Sequence, residues 1–299
     1  MAKRGGRRVG GPGGILLCLG LAIVGWLIGG IEGRVVESGF RTIHTNQARL
    51  DNGRTWVDSR WELELREKLA RLGELEASDS QARDEIVAEI AALSFVASVG
   101  EPEVLWPDGL RVPILFQNPV ACLPVGEVFY PVSADGTILS GAWASPPKVG
   151  SGWLPVIGEV GMHYPGAAPG IVLDGEAELD AVSIATSMWV HLSHRDWGTL
   201  GRVVIDARRG RETGPDEQGA RIHMELEREV WYGRPPRAGA PGSLPDEVKW
   251  TNLSKALECL RSGEASGNWA WLDLRWDRAE MRLFENEDGV DEAAQESGD

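Results

Sequence analysis

The chain of 299 residues contains little cysteine and an excess of negative charge. Its three cysteines are too few for the framework of several bridges that holds many small secreted domains together. The pattern favours ordinary buried thiols at Cys122 and Cys259. A bridge between them stays open, because a sequence does not give the distance between two Cα atoms. With 30 basic against 45 acidic residues the net charge is −15, which makes nucleic acid and anionic lipid surfaces unfavourable ligands.

Familiar catalytic and cofactor-binding motifs are also absent. The sequence has no Gly-x-Ser-x-Gly, no P-loop, no glycine-rich dinucleotide turn and no His-Glu-x-x-His. One cluster could carry chemistry, since His191 and His194 are three residues apart and Asp196 follows. Two histidines at a helix end with no obvious third ligand favour a structural role over a metal or hydrolytic site. We therefore expect no enzyme activity, no cofactor, no metal and no small-molecule substrate.

Residues 13–31 contain no charge at all. Their apolar part, residues 15–31, would form a helix about 26 Å long, enough to span the hydrocarbon core of a bilayer. All basic residues of the stretch 1–14 precede it, so the positive-inside rule places that stretch in the cytoplasm and the rest of the chain outside. A cleaved signal peptide is the alternative, but the run is longer than the usual apolar core and no Ala-x-Ala site follows. The predicted anchor includes Ile15, Leu21, Trp26 and Ile31.

Residues 34–121 are predicted to form a small α+β domain. Asp58 is a good N-cap for a first helix that ends at Gly73, and a second helix is expected around residues 81–93. Strands are expected before and after the helix pair. The order is therefore strand, helix, helix, strand, strand.

The segment "LWPDGLRVPILFQNPVA", residues 105–121, supplies the last turn and strand of this domain. Pro107-Asp108-Gly109 has turn chemistry, because proline presets φ and glycine tolerates the exit conformation. Pro113 and Pro119 have no N–H to donate to a neighbouring strand. The segment is therefore predicted to be an edge strand or to carry a bulge.

Residues 122–284 are predicted to form a larger mixed β-domain with flanking helices. Helices are expected at residues 176–192 and 246–260, and residues 220–233 alternate as one strand. Residues 268–284 are expected to form a strand pair or one long strand, with Trp269 and Trp271 on the same face. The acidic end, residues 285–299, is expected to be solvated and disordered.

Five short motifs occur in a fixed order along the chain. They are "VLWPDGLRVPI" (104–114), "NPVA" (118–121), "SADGTIL" (133–139), "LPVIG" (154–158) and "WLDLRW" (271–276). Together with the apolar anchor they resemble the bacterial cell-division family FtsQ/DivIB. The resemblance covers roughly residues 15–284, and each motif is short.

The resemblance implies a single-pass protein of the inner membrane with a POTRA domain (β-α-α-β-β) at residues 34–121 and a β-domain after it. Such a protein is a non-enzymatic scaffold that recruits other single-pass division proteins, FtsB/FtsL-like, by strand addition. The partner-binding residues implied here lie in the closing strands: Trp269, Trp271, Arg275, Trp276 and Phe284. Alternatives are a POTRA-like assembly factor for secretion or outer-membrane insertion, and a membrane-anchored envelope hydrolase.

The charge pattern around the predicted anchor generates a topology prediction. A carboxy-terminal alkaline phosphatase fusion should be active in cells and a carboxy-terminal green fluorescent fusion should be dark, because the bulk of the chain lies outside the cytoplasm. The reverse pattern would contradict both the predicted topology and the resemblance that depends on it.

Overall fold

The computed structural model has an α+β architecture, as the sequence predicts. It describes residues 42–45, 48–51, 58–76, 79–105, 109–158, 164, 166–212, 217–239, 243–263 and 268–284. No helix within these residues is both long enough and apolar enough to cross a membrane. The predicted anchor at residues 15–31 and the predicted acidic tail lie outside the described residues.

Helices and strands alternate irregularly along the described residues. The helices are α1 Ser59–Leu72, α2 Ser80–Ala91, α3 Glu176–His191, α4 His194–Leu200 and α5 Asp246–Ser262. The first eight strands are β1 Thr42–His44, β2 Arg49–Asp51, β3 Glu74–Glu76, β4 Val96–Val99, β5 Glu103–Leu105, β6 Gly109–Phe116, β7 Pro119–Val125 and β8 Val128–Ser133. The others are β9 Lys148–Val149, β10 Gly152–Trp153, β11 Val156–Ile157, β12 Val204–Asp206, β13 Ala220–His223, β14 Glu229–Gly233, β15 Trp269–Asp273 and β16 Glu280–Leu283.

The described chain divides into two compact units, each built from separate stretches of sequence. The smaller unit takes residues from 1–52, 63–90 and 99–114. The larger unit takes residues from 53–62, 91–98 and 115–299. We call the larger one the β-unit.

Helix α1 begins where its capping chemistry predicts. The Asp58 Oδ1 atom accepts the backbone N–H of Arg60 at 2.8 Å, which satisfies a donor that the first helical turn leaves unpaired. The helix ends before Gly73, whose φ of +72° is the left-handed conformation that glycine adopts without strain. The helix pair is present, but the order of elements is strand, strand, helix, strand, helix and then three strands, rather than the predicted strand, helix, helix, strand, strand. Strand β3, which pairs with β1, lies between the two helices and was not predicted.

The segment was predicted to be an edge strand or to carry a bulge, and the register of β7 with β8 does shift between Pro119 and Ala121. Strand β6, however, is not an edge strand. It lies between β2 on one side and β4 and β5 on the other. Pro113 is tolerated there because β2 ends at Asp51, directly opposite it, so no further ladder bond is lost on that side. On the other side the Pro113 carbonyl accepts the N–H of Gly100 at 2.8 Å. The sequence shows that Pro113 has no N–H to donate, but it does not show that the neighbouring strand β2 is short.

The β-unit is organised on one mixed sheet of eight strands. Their order is β16-β15-β14-β13-β12-β11-β7-β8. Strand β11 runs parallel to β7 and β12, and β14 runs parallel to β15, while the other pairs are antiparallel. A mixed β-domain was predicted, but the parallel pairs were not.

A continuous apolar core joins helices α3, α4 and α5 to this sheet. The helices contribute Ile184, Met188, Trp197, Trp250 and Leu257, all nearly or fully inaccessible to solvent. Each large side chain buried in this way contributes about 1.5–3 kcal/mol relative to an exposed one. The predicted helices at residues 176–192 and 246–260 are confirmed by α3 and α5.

A cluster of stacked aromatic rings joins distant stretches of sequence inside the β-unit. The Trp61 ring stacks on Phe95 with ring centres 5.2 Å apart and on Phe116 at 6.3 Å. The Trp61 indole N–H donates to the carbonyl of Ser140 at 2.7 Å. The first turn of α1 is therefore held by packing and by a hydrogen bond to a residue far along the chain.

Neither described cysteine forms a disulfide, which settles the open question of a bridge. Cys122 is completely buried and Cys259 is partly buried, and both are free thiols. Burial raises the pKa of the Cys122 thiol well above its usual range, so it stays protonated at neutral pH.

Residues 220–233 form a hairpin rather than the single strand predicted. Strands β13 and β14 are joined at Leu226 and Glu227, whose φ angles are +61° and +59°. The Met224 N–H donates to the Arg228 carbonyl at 2.8 Å, so residues 225–227 form the loop. Left-handed φ at two consecutive loop positions favours Asn and Gly, which adopt that conformation with less strain than leucine or glutamate. Leu226, an apolar position of the predicted strand, is 75 % exposed in the turn. The turn was not predicted, because polar and apolar residues alternate through it without a break. Leu226 and Glu227 are also not residue types that usually form turns.

The strained turn generates a stability prediction. Replacing Leu226 with Asn and Glu227 with Gly should raise the free energy of unfolding by about 1–2 kcal/mol, because both new residues tolerate positive φ. Urea unfolding of the two proteins measures the difference. As a control, Glu127→Gly in the β7–β8 turn should not stabilise, since Glu127 is not among the residues with positive φ. An unchanged or lower midpoint for the double variant would contradict the prediction.

A lysine in the first turn of helix α5 is buried in the β-unit. Lys249 is 2 % exposed, and its ammonium donates to the carbonyl of Arg234 at 2.9 Å. It also lies 4.0 Å from the centre of the Tyr232 ring, a favourable cation–π distance. The Tyr232 hydroxyl donates to Asp246 at 2.7 Å. Burial lowers the pKa of Lys249 to about 8 from its ordinary 10.5, and the charge of Asp246 opposes that shift only in part.

The depressed pKa of Lys249 predicts a pH dependence of stability. Between about pH 8 and pH 10.4 the unfolded chain binds more protons at this site than the folded protein, so the free energy of unfolding should rise with pH, by at most about 3 kcal/mol. Lys249→Met should remove most of this rise. The exposed Lys255, on the same helix, is the control, and Lys255→Met should leave the rise intact. Equal pH profiles for Lys249→Met and wild type in urea unfolding would contradict the prediction.

Candidate partner-binding edge

The segment predicted to bind a partner forms the last two strands of the sheet. Strand β15 pairs with β14 on one side and with β16 on the other, and β16 ends the strand order. All four residues of β16 are exposed, and its apolar side chains Met281 and Leu283 are 39 % and 44 % accessible. Its outer edge has no strand partner among the described residues. Such an edge offers backbone groups to a further strand.

Trp269 and Trp271 do not share a face, contrary to the sequence prediction. The register with β16 shifts between them, because two steps along β15 oppose one step from Leu283 to Arg282. Trp269 is therefore fully buried in the core together with Leu272. Trp271 is only partly buried and stacks on Trp231, with ring centres 4.6 Å apart and planes 2° from parallel.

The turn between β15 and β16 is held by a buried ion pair. Asp273 is almost completely buried, and Arg275 Nη2 donates to its Oδ2 at 2.7 Å while the Arg275 backbone N–H donates to Oδ1 at 2.9 Å. Arg275 Nη1 donates to the carbonyl of Glu217 at 2.6 Å. Gly233 leaves room for this arginine, since a Cβ there would lie 2.7 Å from the Arg275 Cγ. Removing one partner from such a buried pair is strongly destabilising.

The same arginine supports two tryptophans. The Arg275 guanidinium lies 5.4 Å from the Trp231 ring centre and 5.7 Å from that of Trp276. Trp276 itself is 48 % exposed, in the bend that precedes β16. A large aromatic side chain is thus exposed in the turn that leads into β16, next to an arginine that is held by Asp273.

Phe284 closes the other end of β16. Its backbone N–H donates to Asn268 at 2.9 Å, and its ring is partly buried. The Arg228 guanidinium lies 5.9 Å from the Phe284 ring centre and 5.8 Å from that of Trp269. Arg228 therefore lies close to one ring that is partly accessible and one that is buried.

The residues of the histidine cluster are divided between two helices. Helix α3 ends at His191, but His194 begins helix α4, so only His191 lies at a helix carboxyl end as predicted. Asp196 accepts hydrogen bonds from Arg261 at 2.8 Å and from Ser254 at 3.1 Å. Burial alone would raise the pKa of Asp196, but these bonds and one from Ser193 outweigh burial and lower it. Within the described residues no three His, Cys, Asp or Glu side chains are placed to share a metal ion.

Several residues of this edge were missed by the sequence reasoning. Met281 and Leu283 lie on an exposed strand, although apolar residues in a strand usually indicate the buried face. Trp231 and Arg228 come from the β13–β14 hairpin, which was predicted as one strand. Recognising a turn at residues 226–227 would have predicted β14 as a separate strand paired with β13.

Comparison with known proteins adds no family to this description. The sequence matches no protein-family model, and no curated protein matches it.

Proposed function

We propose that this chain is a non-enzymatic scaffold of the bacterial division machinery, similar to FtsQ/DivIB. In this proposal the predicted anchor at residues 15–31 holds it in the inner membrane, and its extracytoplasmic domains recruit other single-pass division proteins during septum formation. Residues 34–121 would be the POTRA-like domain. The observation that supports the proposal is the exposed edge strand β16, whose outer side has no strand partner among the described residues, at the place where the resemblance implies a partner.

The chemistry of β16 suits strand addition. A partner strand would gain main-chain hydrogen bonds along the outer edge, and alternate side chains would provide specificity. The exposed Trp276, Met281 and Leu283 would be covered by the partner, and Phe284 would be covered in part. Charged residues alternate with the apolar ones on this strand, which limits edge-to-edge aggregation when no partner is present.

The other implied site residues would act from beneath the surface. Trp269 is fully buried, so it would support the strand rather than contact the partner. Trp271 would hold Trp231 and, through it, the stack that ends in Arg275 and Trp276. This arrangement fixes the aromatic anchor before binding, which reduces the entropy lost on association.

The partner expected at this edge is a short single-pass division protein of the FtsB/FtsL type. Such a protein would provide an extended segment close to the membrane, and anchoring both proteins in one bilayer would raise their effective concentration. The proposal involves neither nucleic acid nor a small-molecule substrate.

Loss of the exposed aromatic anchors tests the proposal. Trp276→Ala combined with Phe284→Ala should weaken partner binding roughly 30-fold or more, because a buried aromatic anchor contributes about 2–4 kcal/mol. Co-purification of the tagged full-length protein from membranes, read by mass spectrometry, measures the loss. The control is Val172→Ala combined with Val190→Ala, which removes two exposed apolar side chains from other elements. It should retain the partner.

A second variant separates binding from folding, since Phe284 is partly buried. Met281→Asp combined with Leu283→Asp changes only exposed side chains of β16 and should also abolish co-purification. Circular dichroism checks that each protein is folded. If both folded variants retain the same partners as the wild type, the interface is not at this edge.

A further inference from the structure

A small polar pocket lies at the end of strand β12, within the β-unit. Its volume is about 130 Å³, and its lining residues are Asp206, Arg208, Arg209, Gly219 and Arg221. Three arginines around one cavity are unusual in a chain whose net charge is −15. The proposed scaffold function uses none of these residues.

Three local features bring the pocket residues together. Asp206 of β12 and Arg221 of β13 lie directly opposite each other in the antiparallel ladder. Arg208 and Arg209 follow β12 in a tight turn. Gly219 precedes β13 with φ of +70°, and a Cβ there would lie 2.6 Å from the Gly233 backbone, so this wall must be bare backbone.

The ion pairs around the pocket leave positive charge in excess. Arg208 pairs with Asp206 through Nε at 3.0 Å and Nη2 at 2.8 Å. Arg221 Nη1 lies 3.2 Å from a Glu229 carboxylate oxygen. Arg209 is exposed and has no ion-pair partner among the described residues. Three guanidinium groups against two carboxylates leave one uncompensated cation, at Arg209.

The neighbouring acidic residues Glu212 and Glu217 are not among the residues that line the pocket. Arg211, in the same turn, is occupied elsewhere, because its Nε donates to the buried Asp180 at 2.7 Å and its Nη1 lies 3.0 Å from Glu176. Burial alone would raise the pKa of Asp206, but the bonds from Arg208 outweigh it and lower the pKa. Asp206 therefore stays ionised and committed to Arg208 at neutral pH.

We propose that this pocket binds a phosphate-class oxyanion, with Arg209 and Arg221 as its principal ligands. Guanidinium groups match the spacing of two oxygens of a tetrahedral anion and form strong charge-assisted bonds with it. The cavity is well below the size of about 300 Å³ at which pockets accept drug-sized molecules, so it fits a single phosphate group rather than a nucleotide. That group could be free phosphate or part of a lipid headgroup.

Calorimetric titration of the purified full-length protein with inorganic phosphate tests the site, at constant ionic strength. Saturable binding at millimolar phosphate is expected, and Arg209→Gln should weaken it at least about tenfold, the loss of one charge-assisted bond. Arg195→Gln, which removes another exposed arginine, from helix α4, should leave the affinity unchanged. Absence of saturation, or equal losses in the two variants, would overturn the proposal.

Two further ligands distinguish the sources of the phosphate group. Glycerol phosphate is a monoester whose terminal phosphate can carry two negative charges, as free phosphate can. Glycerophosphoglycerol carries the singly charged diester of a phosphatidylglycerol headgroup. Tighter binding of the monoester assigns the pocket to a soluble anion, and tighter binding of the diester assigns it to a lipid headgroup. Arg209→Gln should still co-purify the division partners, so a failure here is separate from a failure of the scaffold proposal.

Discussion

An open sheet must end somewhere, and this constraint shapes the whole β-unit. The eight strands do not close on themselves, so the sheet has two outer rows of backbone groups. At the β8 end, later parts of the chain add short bridges, with Val132 opposite Ile138 and Thr137 opposite Val172. At the β16 end no further strand follows among the described residues. The two ends of the sheet therefore differ. Among the described residues, only the β16 end exposes a regular strand to solvent.

The free end is made rigid by charge and aromatic packing rather than by further backbone pairing. Burying Asp273 would be costly without Arg275, and the pair orders the turn that leads into β16. Arg275 then extends the stacked rings of Trp271 and Trp231 towards the surface. A second ion pair, between Asp196 of helix α4 and Arg261 of helix α5, links those two helices. In both places an arginine satisfies a buried carboxylate and positions an element that apolar contacts alone would leave less defined.

Local sequence signals predicted the helices well and the strands less well. Helices α1, α3 and α5 have capping residues or apolar stripes that depend only on near neighbours, so their positions could be predicted. The central place of β6, the bulge after Trp269 and the turn at Leu226 depend on strands distant in sequence. A one-residue shift in a strand moves its side chains to the other face, which is why the faces of Trp269 and Trp271 were predicted wrongly. The arginine pocket was missed because its residues are close only after β12 and β13 pair.

The ring stack around Trp61 has a kinetic consequence. The hydrogen bond from Trp61 to Ser140 joins residues 79 positions apart, and Phe95 and Phe116 must arrive between them. Contacts of such long sequence separation form slowly, because the entropy of closing a long loop is lost before the contact stabilises the chain. During synthesis the first turn of α1 therefore lacks its native partners until the stretch around Ser140 has emerged. Any chaperone that protects the nascent chain must cover an exposed tryptophan for that interval.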